Sequence, residues 1–309
     1  VRSILSEFLP IWIIAGLGWA ASRSGVVARQ GREALTAFAF TFAMPAVLFT
    51  MLTKVALGDL PFRPLIAFAV STLTVAAAAL ALVRWVFHGK LAEQVIAAMS
   101  AGYVNAGNLG IPVALYVLHD ASFVMAVLVF QVMVMTPLIF MGLDLGREGD
   151  AVPGAWKRSL LAPLRNPLVL GASAGLVVSA LSWHPPKEVM RPLELLGGAA
   201  VPVALFVLGM ALDVPRSDTA ANRGVISVVV SLKLVAQPLI AFVVGREMLH
   251  LNQAALYAVV LFAALPTAQN TFLYATRYNG GTELPRDAIL ISTLLSMVTV
   301  SVVSLLLRA

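Results

Sequence analysis

Tyr103-Val104-Asn105-Ala106-Gly107-Asn108-Leu109-Gly110-Ile111-Pro112 sits inside an apolar run that otherwise reads as one continuous helix. Two asparagines, two glycines and a proline make poor helix. Pro112 lacks an N–H and its ring clashes with the carbonyl four residues back, while Gly107 and Gly110 add backbone freedom. A second break, Ala264-Leu265-Pro266-Thr267-Ala268-Gln269-Asn270-Thr271, interrupts another apolar run far along the chain.

The surrounding composition decides what such breaks mean. The chain has 309 residues, is 60% hydrophobic and only 12% charged, with a mean hydropathy of +0.92. An average soluble domain is about 45–50% apolar and about 25% charged. Lipid must therefore be the solvent for most of this surface, and the fold class is an all-α membrane protein. Runs of roughly 20 apolar residues suit a hydrocarbon core about 30 Å thick at about 1.5 Å rise per residue. We count about ten spans: 4–22, 33–53, 62–87, 94–118, 121–143, 166–183, 191–212, 224–247, 253–276 and 286–308. The first span carries small residues at Ala20-Ala21-Ser22, but its long apolar stretch and its matching partner later in the chain argue against a cleaved signal peptide.

The net charge of +6 does not point to nucleic acid, because the basic residues sit between apolar runs. They read as topology signals and contacts to membrane lipid headgroups. Connections after the odd-numbered spans hold about 13 cations against about 7 on the side of both termini. Arg147, Lys157, Arg158 and Arg165 of the long central connection belong to the richer side. That side should be cytoplasmic, placing the protein in the cell inner membrane with both termini facing outward.

The two halves repeat. At a shift of about 157 residues, Pro10 meets Pro167, Gly18 meets Gly175, and Ala43-Met44-Pro45-Ala46-Val47-Leu48-Phe49 meets Ala200-Val201-Pro202-Val203-Ala204-Leu205-Phe206. Further on the shift grows to about 162, and Ala106 and Asn108 meet Ala268 and Asn270. Five spans per half is an odd number, so the second copy enters the membrane from the opposite side. The domains are two inverted repeats, 1–150 and 151–309, an arrangement typical of transporters.

Broken helices expose N–H and C=O groups that lipid cannot satisfy. The two breaks must line a protein-enclosed, hydrated cavity or face each other. Opposed half-helix N-termini would offer N–H donors and positive dipole ends to an anion. Asn105, Asn108, Thr267, Gln269 and Asn270 would add neutral hydrogen bonds. A lone proline kink with locally satisfied polar groups would explain one such segment; two matched breaks favour a substrate site.

Lys233 is the one cation near a span centre, where charge is expensive unless it faces protein or water. It could neutralise a substrate carboxylate, occupy the place of a coupling cation, or pair with helix carbonyls. Gln237, one turn along, and Gln131, mid-span in the fifth helix, read as packing contacts. Glu7, Glu33, Asp144, Glu194 and Asp213 all lie near span ends, so no carboxylate supplies charge for a sodium site or a buried proton carrier. Uniport, exchange or weak proton dependence through Lys233 fits better.

An enzyme is not expected. The sequence has no Cys, which excludes thiolate nucleophiles and Cys-based zinc sites. Gly171-Ala172-Ser173-Ala174-Gly175 matches a nucleophile-elbow pattern, but that motif needs a strand-to-helix turn. Inside an apolar helix, small residues at this spacing permit close packing. His88, His119, His184 and His250 are too scattered for a triad or a metal site, and nothing calls for a cofactor.

The segments 105–112 and 265–270 resemble the two signature segments of the auxin efflux carrier family, which includes bacterial malonate-type permeases and the plant auxin exporters. Span number and the long central connection agree along essentially the whole chain. The resemblance implies a fold shared with bile acid–sodium symporters and related sodium/proton antiporters. In that fold spans one, two, six and seven form a scaffold, and the other six form a mobile transport domain. The broken fourth and ninth spans cross at the substrate site. It carries Asn105, Asn108, Pro266 and Asn270 over as crossover or site residues, and a homodimer through the scaffold helices is the expected association. Gly107, Thr267, Gln269 and Lys233 join the substrate-binding set, with Gly110 and Pro112 at the crossover. The expected function is alternating-access, elevator-type transport of a small organic anion, a mono- or dicarboxylate. The alternatives are a sodium-coupled organic anion symporter of the sibling family and a non-transporting receptor or scaffold.

Overall fold

The computed structural model describes residues 2–54, 61–146, 167–211, 223–277 and 281–307. Arg147, Glu148, Asp150, Lys157, Arg158, Arg165, Asp213, Arg216 and Arg308 lie outside the described residues. Among those described, the backbone is helical, with no strand beyond one isolated bridge. Among the described residues, six helices are long and apolar enough to cross a membrane.

In chain order the helices are α1 (Arg2–Arg23), α2 (Gln30–Leu52), α3 (Phe62–Trp85), α4 (Leu91–Gly102), α5 (Ala106–Leu118) and α6 (Ser122–Leu145). Then come α7 (Pro167–Ala180), α8 (Lys187–Met210), α9 (Arg223–Met248), α10 (Gln253–Ala263), α11 (Asn270–Arg277) and α12 (Glu283–Leu307). The six long ones are α2, α3, α6, α8, α9 and α12; α5 and α10 are shorter apolar helices.

Proline shapes several of them from within. Widened π-type turns at Ala39–Ala43, Ala106–Gly110, Gln131–Met135 and Leu232–Ala236 stand just before Pro45, Pro112, Pro137 and Pro238. Each loosens the ladder where the proline ring cannot return an N–H and crowds the preceding turn. The helix continues through each of these turns.

The chain divides into two compact units. One holds Val1–Pro61, Gly107–Val129 and Ala162–Pro215. Its helices meet backbone to backbone. A Cβ on Gly209 of α8 would lie 1.7 Å from the Ala15 carbonyl oxygen of α1, and one on Gly18 would lie 2.0 Å from that of Phe206. Gly171 and Gly175 of α7 press in the same way on Pro45 and Phe49 of α2. The apparent nucleophile elbow is thus a packing face, and Ser173 is an exposed residue within a helix.

The other unit holds Phe62–Ala106, Phe130–Leu161 and Arg216–Ala309. Gly102 brings α4 against Thr72 of α3, and Gly142 seats α6 on Val95 of α4. Tyr257 and Ser304 join α10 to α12 through their hydroxyls at 2.8 Å. The entries to α4 and α10 are alike. His88 and His250 both adopt left-handed backbone, with φ of 53° and 46°. Gly89 N–H returns to Val83 O and Leu251 N–H to Gly245 O, both at 2.9 Å. These pairs stand at the same offset that aligns Asn108 with Asn270.

Candidate functional site

The two interruptions of the helical backbone, Tyr103–Asn105 and Ala264–Gln269, fall in the second unit, and they pair with each other. Helix α4 stops at Gly102, and Tyr103 and Asn105 flank an antiparallel bridge between Val104 and Thr267. Asn105 N–H donates to Pro266 O at 2.8 Å, and Ala268 N–H donates to Tyr103 O at 2.9 Å. Groups that a continuous helix would satisfy internally are thereby satisfied across the crossover, as an apolar setting requires.

Side chains satisfy what the bridge leaves over. Ser100 O, which would have taken the N–H of Val104, accepts from Thr267 Oγ1 at 2.7 Å. Val104 O accepts from Gln131 Nε2 at 2.9 Å, and Thr267 N–H donates to Ser292 Oγ of α12 at 3.1 Å. Thr267 is fully buried and its hydroxyl proton is used within the crossover. Gln131 is a crossover tie. Neither Gln131 nor Ser292 stands out as functional in the sequence; the signal was the presence of buried polar residues in apolar spans beside two breaks.

The remaining site residues differ in what they present. Asn105 is buried beside the bridge. Gln269 is half-buried, and its Nε2 has no hydrogen-bond partner among the described residues. Asn270, the first residue of α11, is exposed. Gly107, Asn108, Gly110 and Pro112 belong to α5 in the other unit; there a Cβ on Gly107 would meet the Phe40 ring at 3.2 Å, and Asn108 is buried. Lys233 is fully buried in the second unit, donating to Gln237 Oε1 and to Ala263 O.

An aromatic cluster adjoins the bridge, and the sequence did not announce it. Tyr103 and Tyr274 meet edge to face at 6.4 Å between ring centroids, and Phe140 meets Tyr274 at 4.8 Å. Tyr103 Oη lies 3.1 Å from Thr136 Oγ1. Thr136 itself donates to Gln131 O at 3.0 Å, so the hydroxyl that donates between the two is Tyr103's. Its oxygen is left to accept, and the Asn270 side chain is within hydrogen-bonding reach of it.

Apolar helices with two interrupted segments stitched together at their breaks fit a membrane transport protein. The family model described as "Membrane transport protein" matches residues 3–160 and 154–304, and the chain belongs to that family, the auxin efflux carriers and their microbial relatives. It is 27% identical to the "Putative malonate transporter" of Rhizobium meliloti (strain 1021), covering 100% of this chain and 97% of that protein. It is 26% identical to the "Uncharacterized transporter YfdV" of Escherichia coli (strain K12), over 96% of this chain and 95% of that one. The "Probable auxin efflux carrier component 5c" of Oryza sativa subsp. japonica is 27% identical over 43% of this chain and 37% of its own length.

Proposed function

We propose that this membrane transporter moves a small organic anion, a mono- or dicarboxylate, by alternating access of the elevator type. The observation that carries the proposal is the crossover. Its backbone is held by partners of its own, while the Gln269 amide nitrogen, just before α11, remains for a ligand and Asn270 stands exposed beside it. Amide donors and a half-helix N-terminus suit a carboxylate. Asn105 and Asn108 belong to the same signature, and Lys233 adds positive charge within the second unit. The like entries of α4 and α10 support the inverted-repeat reading, in which α4–α5 and α10–α11 are the fourth and ninth of ten spans. Two relatives carry malonate or auxin in their names, and both compounds are carboxylates.

The test is uptake by purified protein in proteoliposomes, with radiolabelled malonate and a panel of mono- and dicarboxylates, in sodium and in choline buffer. Saturable uptake of at least one anion in choline buffer is expected. Transport of neutral or cationic solutes alone would overturn the proposal.

A further inference from the structure

In an unbroken helix the Ala263 carbonyl would take the N–H of Thr267, four residues on. The break at Pro266 parts that pair, and each half finds a substitute. Thr267 N–H goes to Ser292 Oγ at 3.1 Å, and Ala263 O receives Lys233 Nζ at 3.4 Å. Nζ also donates to Gln237 Oε1, one turn along α9. Gln237 is itself fixed, because its Nε2 donates to Thr72 Oγ1 of α3 at 2.9 Å. Lys233, Gln237 and Thr72 are all 0% exposed.

No Asp or Glu appears among the described side chains that are fully buried, and none is bonded to Nζ. The ammonium is held by neutral oxygens and by the negative end of the α10 dipole. A buried ammonium with a poor set of partners is strongly destabilising, so this one needs those oxygens. Carbonyls at the C-terminal end of a half-helix are also what bind a free monovalent cation in a broken transporter helix, and here the Gln237 amide oxygen stands beside one.

We propose that Lys233 is a built-in cation: its ammonium fills an oxygen-lined site at the end of α10 that would otherwise take a free monovalent cation. It is a positioning residue. It holds Ala263 O, and through it the crossover, and does not touch the transported anion. The carrier then needs no sodium to assemble its site. This consequence rests on the crossover being the transport site, but the occupancy of the cation position does not.

The test is therefore read first on stability. Wild type, Lys233→Ala and Lys233→Ser are purified in detergent and melted in choline, sodium and n-propylammonium chloride at equal ionic strength. Propylammonium restores what truncation at Cβ removes, and Lys233→Ser serves if Lys233→Ala does not fold. The wild-type Tm is expected to be the same in all three salts. The variant Tm should rise by about 3 °C or more in propylammonium or sodium over choline, as specific binding to the folded state requires. Variants indifferent to both cations, or a wild type stabilised by sodium itself, would overturn the proposal. Uptake of malonate in the same buffers is measured separately; its failure alone counts against the transport reading and leaves the melting result standing.

Discussion

Asn270 is exposed at the start of α11, and in the proposed site removing its amide would take a hydrogen bond from a charged ligand. Such a bond is worth about 1.5–3 kcal/mol, or roughly ten- to a hundredfold in affinity. Asn270→Ala and Asn108→Ala should each lower uptake by that order while the proteins still insert; wild-type uptake by both would reduce these residues to structure. Tyr103→Phe is the finer probe. It keeps the ring against Tyr274 and deletes the hydroxyl that Asn270 can reach. The KM for the anion should rise roughly two- to tenfold, with little change in Tm. An unchanged KM would show that the hydroxyl does not orient Asn270. The asparagines were legible in sequence because polar residues in an apolar run need a reason. Tyr103 was not, since an aromatic residue in a membrane helix needs none. Ser292 was equally silent, and Gln131 was legible as a packing contact but not by its partner, because a hydroxyl or amide declares its partner only once a distant segment is folded against it.

At the scale of the helix, proline and glycine did most of the legible work. Both interruptions fall within the segments that the sequence marks: the second runs from Ala264 to Gln269 around Pro266, and the first opens the run Tyr103–Pro112. The first falls at Tyr103–Asn105, several residues ahead of Pro112, and the turn nearest that proline is widened instead of broken. Local sequence could not foretell this, because the break sits where another chain segment, Pro266–Ala268, supplies its hydrogen bonds. Glycine is the better guide to packing. Gly209 lets α8 touch the backbone of α1 at Ala15, and that contact has no flexible side chain to give way. Gly209→Ala should therefore force the two helices apart, costing about 1–3 kcal/mol. Differential scanning fluorimetry would read it as a Tm several degrees lower. Gly25→Ala is no fair control, since its φ of +74° brings strain of its own. Gly198→Ala, with nothing within 4 Å, should leave the Tm near wild type. Equal behaviour of the 198 and 209 variants would mean that α1 and α8 do not pack at this contact.

For the whole molecule the composition settled membrane residence, and charge carries the argument for orientation. Lys and Arg in short connections are retained on the cytoplasmic side, so an excess of about 13 over about 7 predicts the central connection inside and both termini outside. Much of that excess lies in Arg147, Lys157, Arg158 and Arg165, outside the described residues, so it is a matter of sequence alone. The span count enters as well. An even number of spans returns the C-terminus to the side of the N-terminus, and five spans before the central connection place it opposite both. A reporter active only in the periplasm should therefore work when fused after Ala309 and fail when inserted beside Gly154, with a cytoplasmic reporter giving the converse. Termini on opposite sides would mean an odd number of spans and would dissolve the inverted repeat. Termini together on the cytoplasmic side would keep the repeat and reverse the orientation, and the cation asymmetry would then need another cause.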